Sequence, residues 1–253
     1  MKTISEIKEE FAAVGDFGLN EIIEKYKSDE RSGVKKIIEK TLRDMEKKRA
    51  ERERLEKMLF FERKCYEEGK TLLAGIDEVG RGPLAGPVVT AAVILPKNCM
   101  IEGVNDSKKL SDKKRRILAE QIKQIAVSYS ISMENCAVID EINILQATLR
   151  AMKKAVDSLL VRPEKLLIDA VRIPDIDIEQ MSIIKGDEQS MSIAAASIIA
   201  KVARDDLMIE MDKIYPEYKF ANNVGYGSKE HIEAIRTYGP CPIHRRSFIK
   251  NFV

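Results

Sequence analysis

Four carboxylates stand where apolar segments end. Asp77 and Glu78 follow LLAGI, Asp169 follows KLLI, and Asp187 follows SIIKG. An ionised carboxylate at the end of a buried strand costs several kcal/mol unless a cation or a hydrogen-bond donor compensates. One such aspartate reads as a turn cap. Three separate instances read as a site, because strands that neighbour one another in a sheet bring their ends into one small space, where mutual repulsion calls for divalent cations. An all-oxygen donor set favours Mg²⁺ or Mn²⁺ over zinc. Two such ions about 4 Å apart stabilise both the attacking and the leaving oxygen of a phosphodiester, so phosphoryl transfer is the reaction that fits. Neighbours in an ideal strand face opposite sides, so Asp77 and Glu78 share a site only where the strand bends or ends. The glycines at 80, 82 and 86 make that feasible. Asp187, just before a helix, has the alternative of an ordinary N-cap.

The loop VGRGPLAGP at 79–87 follows directly. It lacks the spacing of a Walker or dinucleotide loop. Its glycines permit close approach of a nucleic-acid backbone, and Arg81 offers a fork of donors to phosphate or sugar. Backbone contact of that kind can detect a 2′-hydroxyl. Other basic residues have two readings each. Lys108 and Lys109 either grip phosphates or are solvated. Lys201 and Arg204 are expected on the wet side of a helix whose other face, with Ile193, Ala194, Ile198 and Ile199, is core. His231 supports helix packing or is exposed, whereas His244, Arg245 and Arg246 form a basic cluster expected to meet nucleic acid.

The elements that must position these residues are legible as periodicities. The runs TLLAGID, VVTAAVIL, VSYSISM, KLLIDA and SIIK predict five strands. Ser111 is placed to cap a helix through DKKRRILAEQIKQIA, a long helix is expected from Ile139 to Leu160, another from Ser190 to Ile214, and a last one in SKEHIEAIRTY between Ser228 and Gly239. The expected class is α/β, a mixed β-sheet flanked by helices. Before it, residues 1–70 predict a helical N-terminal extension, in which Ser32 to Lys70 reads as one proline-free helix packed through Ile37, Ile38, Leu42, Met45 and Leu55. The basic residues Lys47, Lys48, Arg49, Arg52 and Arg54 within it are interleaved with Glu51, Glu53 and Glu56, as in a solvated face; the competing reading is phosphate contact. Residues 71–253 are then the catalytic domain.

The chain has 253 residues, 44% apolar and 33% charged, enough for one large domain with an appendage. Forty-three Lys and Arg against 41 Asp and Glu leave a formal charge of +2, so any polyanion site must be local. No apolar run approaches the ~20 residues that span a bilayer. The charged start MKTISEIKEEF does not resemble a signal peptide, which makes the cytoplasm the expected location. Cys65, Cys99, Cys136 and Cys241 are scattered, without a C-x-x-C pair, and read as reduced structural thiols.

Taken in order, GIDEVGRGPLAGPVV at 75–89, DSKKLS at 106–111, LLIDA at 166–170, IIKGDEQSMSIAAASIIAKVARD at 183–205 and GYGSKEHIEAIRTYGPCPIHRRSF at 225–248 resemble ribonuclease HII, the bacterial type 2 ribonuclease H. The resemblance implies a ribonuclease H-like fold. It also implies Mg²⁺- or Mn²⁺-dependent cleavage of the RNA strand of RNA/DNA hybrids, and incision at single ribonucleotides in duplex DNA, as in ribonucleotide excision repair. It makes Asp77, Glu78, Asp169 and Asp187 the metal-binding catalytic acids. Gly80, Arg81 and Gly82 become readers of the 2′-hydroxyl, Tyr226 a stacking partner for the next sugar, and Lys108 and Lys109 phosphate contacts. A monomer without a membrane partner is expected. Arg81, where ribonuclease HIII has lysine, favours HII. Alternatives are a ribonuclease HIII-like enzyme, another metal nuclease of the same fold, or a hybrid-binding protein that does not cut.

Overall fold

The structure is a computed structural model and describes residues 2–251. The chain divides into two compact units, the first ending at Arg54 and the second beginning at Leu55. The first contains α1 (Ile4–Ala13) and α2 (Leu19–Tyr26), and α3 (Ser32–Met58) runs out of it. Thr3 and Glu6 form a reciprocal capping box at the start of α1. Ile7 and Phe11 of α1 bury against Ile22, Ile23 and Val34, with Ile37, Ile38 and Met45 of α3 packed on them. Leu42, expected in that core, is 48% exposed. Lys48 pairs with Asp16, Arg49 with Glu53 and Arg54 with Glu51, as on a solvated face.

The expected single helix to Lys70 is in fact two. The chain leaves helical geometry at Leu59, and α4 (Phe60–Glu67) follows before Gly69 turns it at a φ of 83°. The break has a packing cause, since it lets Leu55, Met58 and Leu59 enter one core cluster while Cys65 and Phe61 enter another.

The second unit is built on β1 (Leu73–Val79), β2 (Val88–Ile94), α5 (Asp112–Ile125), β3 (Ser128–Glu134), α6 (Cys136–Asp157), β4 (Lys165–Asp169), β5 (Glu179–Ile183), α7 (Gly186–Gln189) and α8 (Met191–Ile214). After them come α9 (Phe220–Asn223), α10 (Lys229–Tyr238) and α11 (Arg246–Ile249). The sheet order is β3-β2-β1-β4-β5, with β1 antiparallel to β2 and parallel to β4. Alternation along the strands sends Ala74, Ile76, Ala92 and Ile94 to one face against Met152, Ala155 and Val156 of α6. It sends Val89, Ala91 and Val93 to the other, against α5 and α8. This is the expected mixed sheet flanked by helices.

Several helix starts follow their capping residues. Ser111, Ser190 and Ser228 each accept a hydrogen bond from the backbone N–H three residues on, at the starts of α5, α8 and α10. The long helix differs from expectation, beginning earlier, at the Asn135 cap, and breaking at Asn143 (φ 66°), whose Oδ1 accepts from Leu145 and Gln146 N–H. Asn143 thus acts as an internal cap. The fifth strand lies slightly earlier than SIIK, because Lys185 takes a left-handed conformation (φ 54°) and starts the turn into α7.

The closest packing in the sheet lies below α8. A Cβ on Gly75 would stand 2.0 Å from the carbonyl carbon of Ser192, so only glycine lets the helix backbone lie on β1. Gly75→Ala is expected to cost about 3 kcal/mol, as backbone on both sides cannot yield. Gly69→Ala, with a positive φ but no atom within 4 Å of the new methyl, should cost only about 1–2 kcal/mol. Urea unfolding of the two variants checks the ranking, and equal costs would contradict it.

Candidate active site

The acids converge as their strand ends predict. Asp77, Glu78, Asp169 and Asp187 line one cavity of about 440 Å³, together with Lys108, Arg115, Ser197, Lys201 and Tyr226. Asp77 lies on the α8 side of β1, 5% exposed, and shares the cavity wall with Ser197, whose hydroxyl favours the ionised carboxylate. Glu78 has the opposite parity but still reaches the cavity. The β1–β4 register ends at Ile76↔Ile168, so the edge of β1 is open beside residues 77–79. Asp169, the last residue of β4, accepts from Gly186 N–H at 2.8 Å, which draws the α7 turn and Asp187 alongside. Asp187 is not the cap of α8; that residue is Ser190, whose hydroxyl also donates to the buried Glu62 at 2.6 Å. Glu62 accepts from Ser192 N–H as well, fixing the start of α8.

The electrostatics are those of crowded carboxylates. Burial, with Glu78 and Asp169 adding to it, pushes the Asp77 carboxyl well above its usual range. Burial raises Glu78 as well, against the pull of Arg81, whose Nη1 donates to Glu78 Oε1 at 3.3 Å. Burial and then Asp169 and Asp106 raise Asp187. Glu78 Oε2 is buried without a hydrogen-bond partner. No three His, Cys, Asp or Glu side chains among the described residues are gathered closely enough to enclose an ion as they stand.

Cations and hydroxyls that sequence reasoning passed over form the cavity wall. Ser107 Oγ lies 3.0 Å from Ser197 Oγ, linking the 106–111 loop to the hydroxyl that meets Asp77. Arg115, buried, donates to the carbonyls of Ser107 and Leu110 and to Asp205 Oδ2, and Lys201 pairs with Asp205 at 2.7 Å. Lys108 faces the cavity, whereas Lys109 turns to Glu188 at 2.5 Å and is not among the lining residues. Gly82 lies beside Tyr226, since a Cβ there would be 3.8 Å from the ring, and Gly80 takes a φ of 91° against the Arg204 side chain.

Two expectations about basic residues are overturned. Arg204 is fully buried and donates to the carbonyls of Pro87, Ala85 and Val224. The amphipathic reading failed because Met191 to Ala200 is buried on every side, leaving that part of α8 no wet face. His244 and Arg245 are buried too, so of the C-terminal cluster only Arg246 is exposed. His231 Nε2 lies 3.0 Å from His244 Nε2, and its Nδ1 donates to the Tyr226 carbonyl at 2.7 Å. Burial depresses both imidazoles, His244 to about 4, so the pair is neutral at pH 7.

The family model described as Ribonuclease HII matches residues 74–251, a span that contains every one of these residues except Glu62. The chain belongs to the ribonuclease HII family. A second model, the Ribonuclease HII N-terminal domain, matches residues 3–66. A ribonuclease HII of Clostridioides difficile is 51% identical over all of this chain and 99% of its own length. That of Caldanaerobacter subterraneus is 58% identical over 79% of this chain and 83% of its own. Among solved structures, the ribonuclease H2 of Pyrococcus horikoshii covers 71% of this chain and 96% of its own at 29% identity, with a TM-score of 0.59. Membership of the ribonuclease HII family makes the chain a hydrolase, an endoribonuclease of the ribonuclease H type. No helix among the described residues is long and apolar enough to cross a membrane.

Raised carboxyl pKa values mean that folding takes up protons. The acidic cluster is therefore least costly at low pH, and its cost grows as pH rises from the ordinary carboxyl range through the raised values. Asp77→Asn keeps the size of the side chain and removes one charge. In EDTA at pH 7 its thermal midpoint should exceed that of the wild type by about 2–4 °C per kcal/mol of relieved repulsion. The gap should close towards pH 4. A variant no more stable than wild type at pH 7 would contradict the electrostatic account.

Proposed function

We propose that this protein is an endonuclease that hydrolyses the RNA strand of RNA/DNA hybrids and incises 5′ to single ribonucleotides embedded in duplex DNA. The products are 5′-phosphate and 3′-hydroxyl ends. The observation that carries the reading is the convergence of Asp77, Glu78, Asp169 and Asp187 on one cavity beside Tyr226 and the 80–82 turn.

The residues fit a pair of hard divalent cations. The acids offer only oxygen donors, no histidine or cysteine lines the cavity, and Glu78 Oε2 is a buried acceptor without a donor. Because the carboxylates do not enclose an ion as they stand, ligation would require rotation of some of them. Asp77, Glu78, Asp169 and Asp187 would be the holders, Asp77 being the most buried of them and flanked electrostatically by Glu78 and Asp169. When bound, Mg²⁺ or Mn²⁺ would supply stabilisation of charge on the attacking and leaving oxygens of the phosphodiester.

The remaining residues bind and orient the substrate. Lys108 and Arg81, both exposed, face phosphates, Arg81 by exchanging its pairing with Glu78 for a phosphate oxygen. Gly80, Arg81 and Gly82 contact the ribose 2′-hydroxyl, and Tyr226, 44% exposed, stacks on the sugar that follows. Lys109 is the weakest of the expected phosphate contacts, held as it is by Glu188. Ser107 and Ser197, bonded to each other at 3.0 Å, line the cavity beside Asp77.

Duplex DNA carrying one ribonucleotide, incubated with Mg²⁺, Mn²⁺ or EDTA, tests the reading. Incision 5′ to the ribonucleotide with either metal and none in EDTA is expected. Cutting that ignores the ribose, or none in any condition, contradicts it. Asp187→Asn should lower the rate about 100-fold or more with folding intact, beyond what loss of an outer-shell partner costs. Near-intact turnover would return Asp187 to a structural role.

A further inference from the structure

The turn at 80–87 is gripped from inside by a side chain with no part in the chemistry above. Arg245 is fully buried. Its Nε and Nη2 donate to the Gly86 carbonyl at 2.9 and 2.8 Å, Nη1 donates to the Arg81 carbonyl at 2.9 Å, and Nη2 also donates to the Gly80 carbonyl. Three main-chain oxygens replace the water that a guanidinium would otherwise keep, and none of them carries a formal charge. Burying a cation on those terms is costly, and Arg204 nearby adds like-charge repulsion. An apolar residue of similar size would avoid the cost but would orient nothing. What a guanidinium adds is a rigid fork of donors that fixes peptide planes.

Fixed planes define a presented surface. No described peptide bond is cis. In a trans peptide the C=O and N–H point in opposite directions. With the Gly80 and Arg81 carbonyls drawn inward onto Arg245, the N–H groups of Arg81 and Gly82, which share those two planes, are aimed away from it. Neither donates to a protein group among the described residues. Gly82 adjoins the Tyr226 ring, which lines the acidic cavity. We infer that Arg245 is a positioning residue for ribose discrimination: it holds the Gly80–Arg81 and Arg81–Gly82 peptides so that two free N–H donors face a ribose at the cavity edge. The inference rests on the reading that this turn meets the 2′-hydroxyl.

Arg245→Lys keeps the charge and loses the fork. Steady-state cleavage of a duplex with one ribonucleotide in Mg²⁺, with the all-DNA duplex of the same sequence as competitor, gives KM and Ki in one assay. The expected result is a KM raised about fivefold or more, the order of one misaligned hydrogen bond, with Ki within about twofold because phosphate contacts are untouched. A fraction of misfolded enzyme would lower kcat but leave KM alone, so it cannot imitate this outcome. An unchanged KM, or KM and Ki rising together, overturns the inference. If the variant does not fold, amide exchange in the wild type decides. Arg81 and Gly82 N–H should exchange fast while Gly86 N–H, bonded to the Ile243 carbonyl at 2.9 Å, is protected. Protected Arg81 and Gly82 amides overturn it. A wild type that cuts no ribonucleotide-containing duplex removes the functional reading, and this inference with it, before any variant is made.

Discussion

Like charge forced together at buried strand ends is the constraint on which the rest of this structure depends. Asp77 sits inside the protein with Glu78 and Asp169 acting on it, and its carboxyl is raised by burial first and by those neighbours next. Such an arrangement opposes folding unless something holds it. Gly186 N–H on Asp169 does part of that, and the Ser197 hydroxyl favours the ionised form of Asp77. Arg81 on Glu78 does a further part, leaving Glu78 Oε2 without a donor. What remains uncompensated is a set of oxygen acceptors, and the proposed cation site rests on it.

The scaffold around the acids is correspondingly stiff. Helix α8 lies on β1 where Gly75 permits backbone contact, and its first turn is fixed by Ser190 and Glu62. That anchoring sets Ser197 over Asp77 and bounds the turn that carries Asp187. On the other side of the cavity, the 80–87 turn and the Tyr226 turn are joined by main-chain bonds from Leu84 and Ala85 N–H to the Gly225 carbonyl, and by Arg204 reaching both segments. The neutral His231–His244 pair holds the Tyr226 carbonyl from behind. The strand that carries Asp77 and the 80–87 and 224–226 turns are thus tied to α8, the turns also through the small C-terminal core of Ala85, Met208, Tyr218, Phe220 and Ile235.

Much of this was legible from local pattern. The five strands, the Ser111 and Ser228 caps and the convergence of carboxylates from β1, β4 and the α7 turn follow from rules that act over a few residues. What was illegible is non-local. Arg204 and Arg245 read as surface charge because an arginine in isolation is expected in water; their burial depends on carbonyls at 80–87 and 224, far away in sequence. Lys109 read as equivalent to Lys108, yet Glu188 on another element claims it. Asn143 was a missed local signal, a capping residue inside an apolar period that otherwise ran unbroken, and the Asn135 cap of the same helix was another.

The most direct test of the central claim is anomalous scattering from crystals of the wild-type protein soaked in Mn²⁺. The account predicts density in the acidic cavity at bonding distance, roughly 2.0–2.3 Å, from Asp77 together with oxygens of Glu78, Asp169 or Asp187. Manganese bound only elsewhere, or a cavity whose carboxylates stay apart at saturating ion, would contradict it.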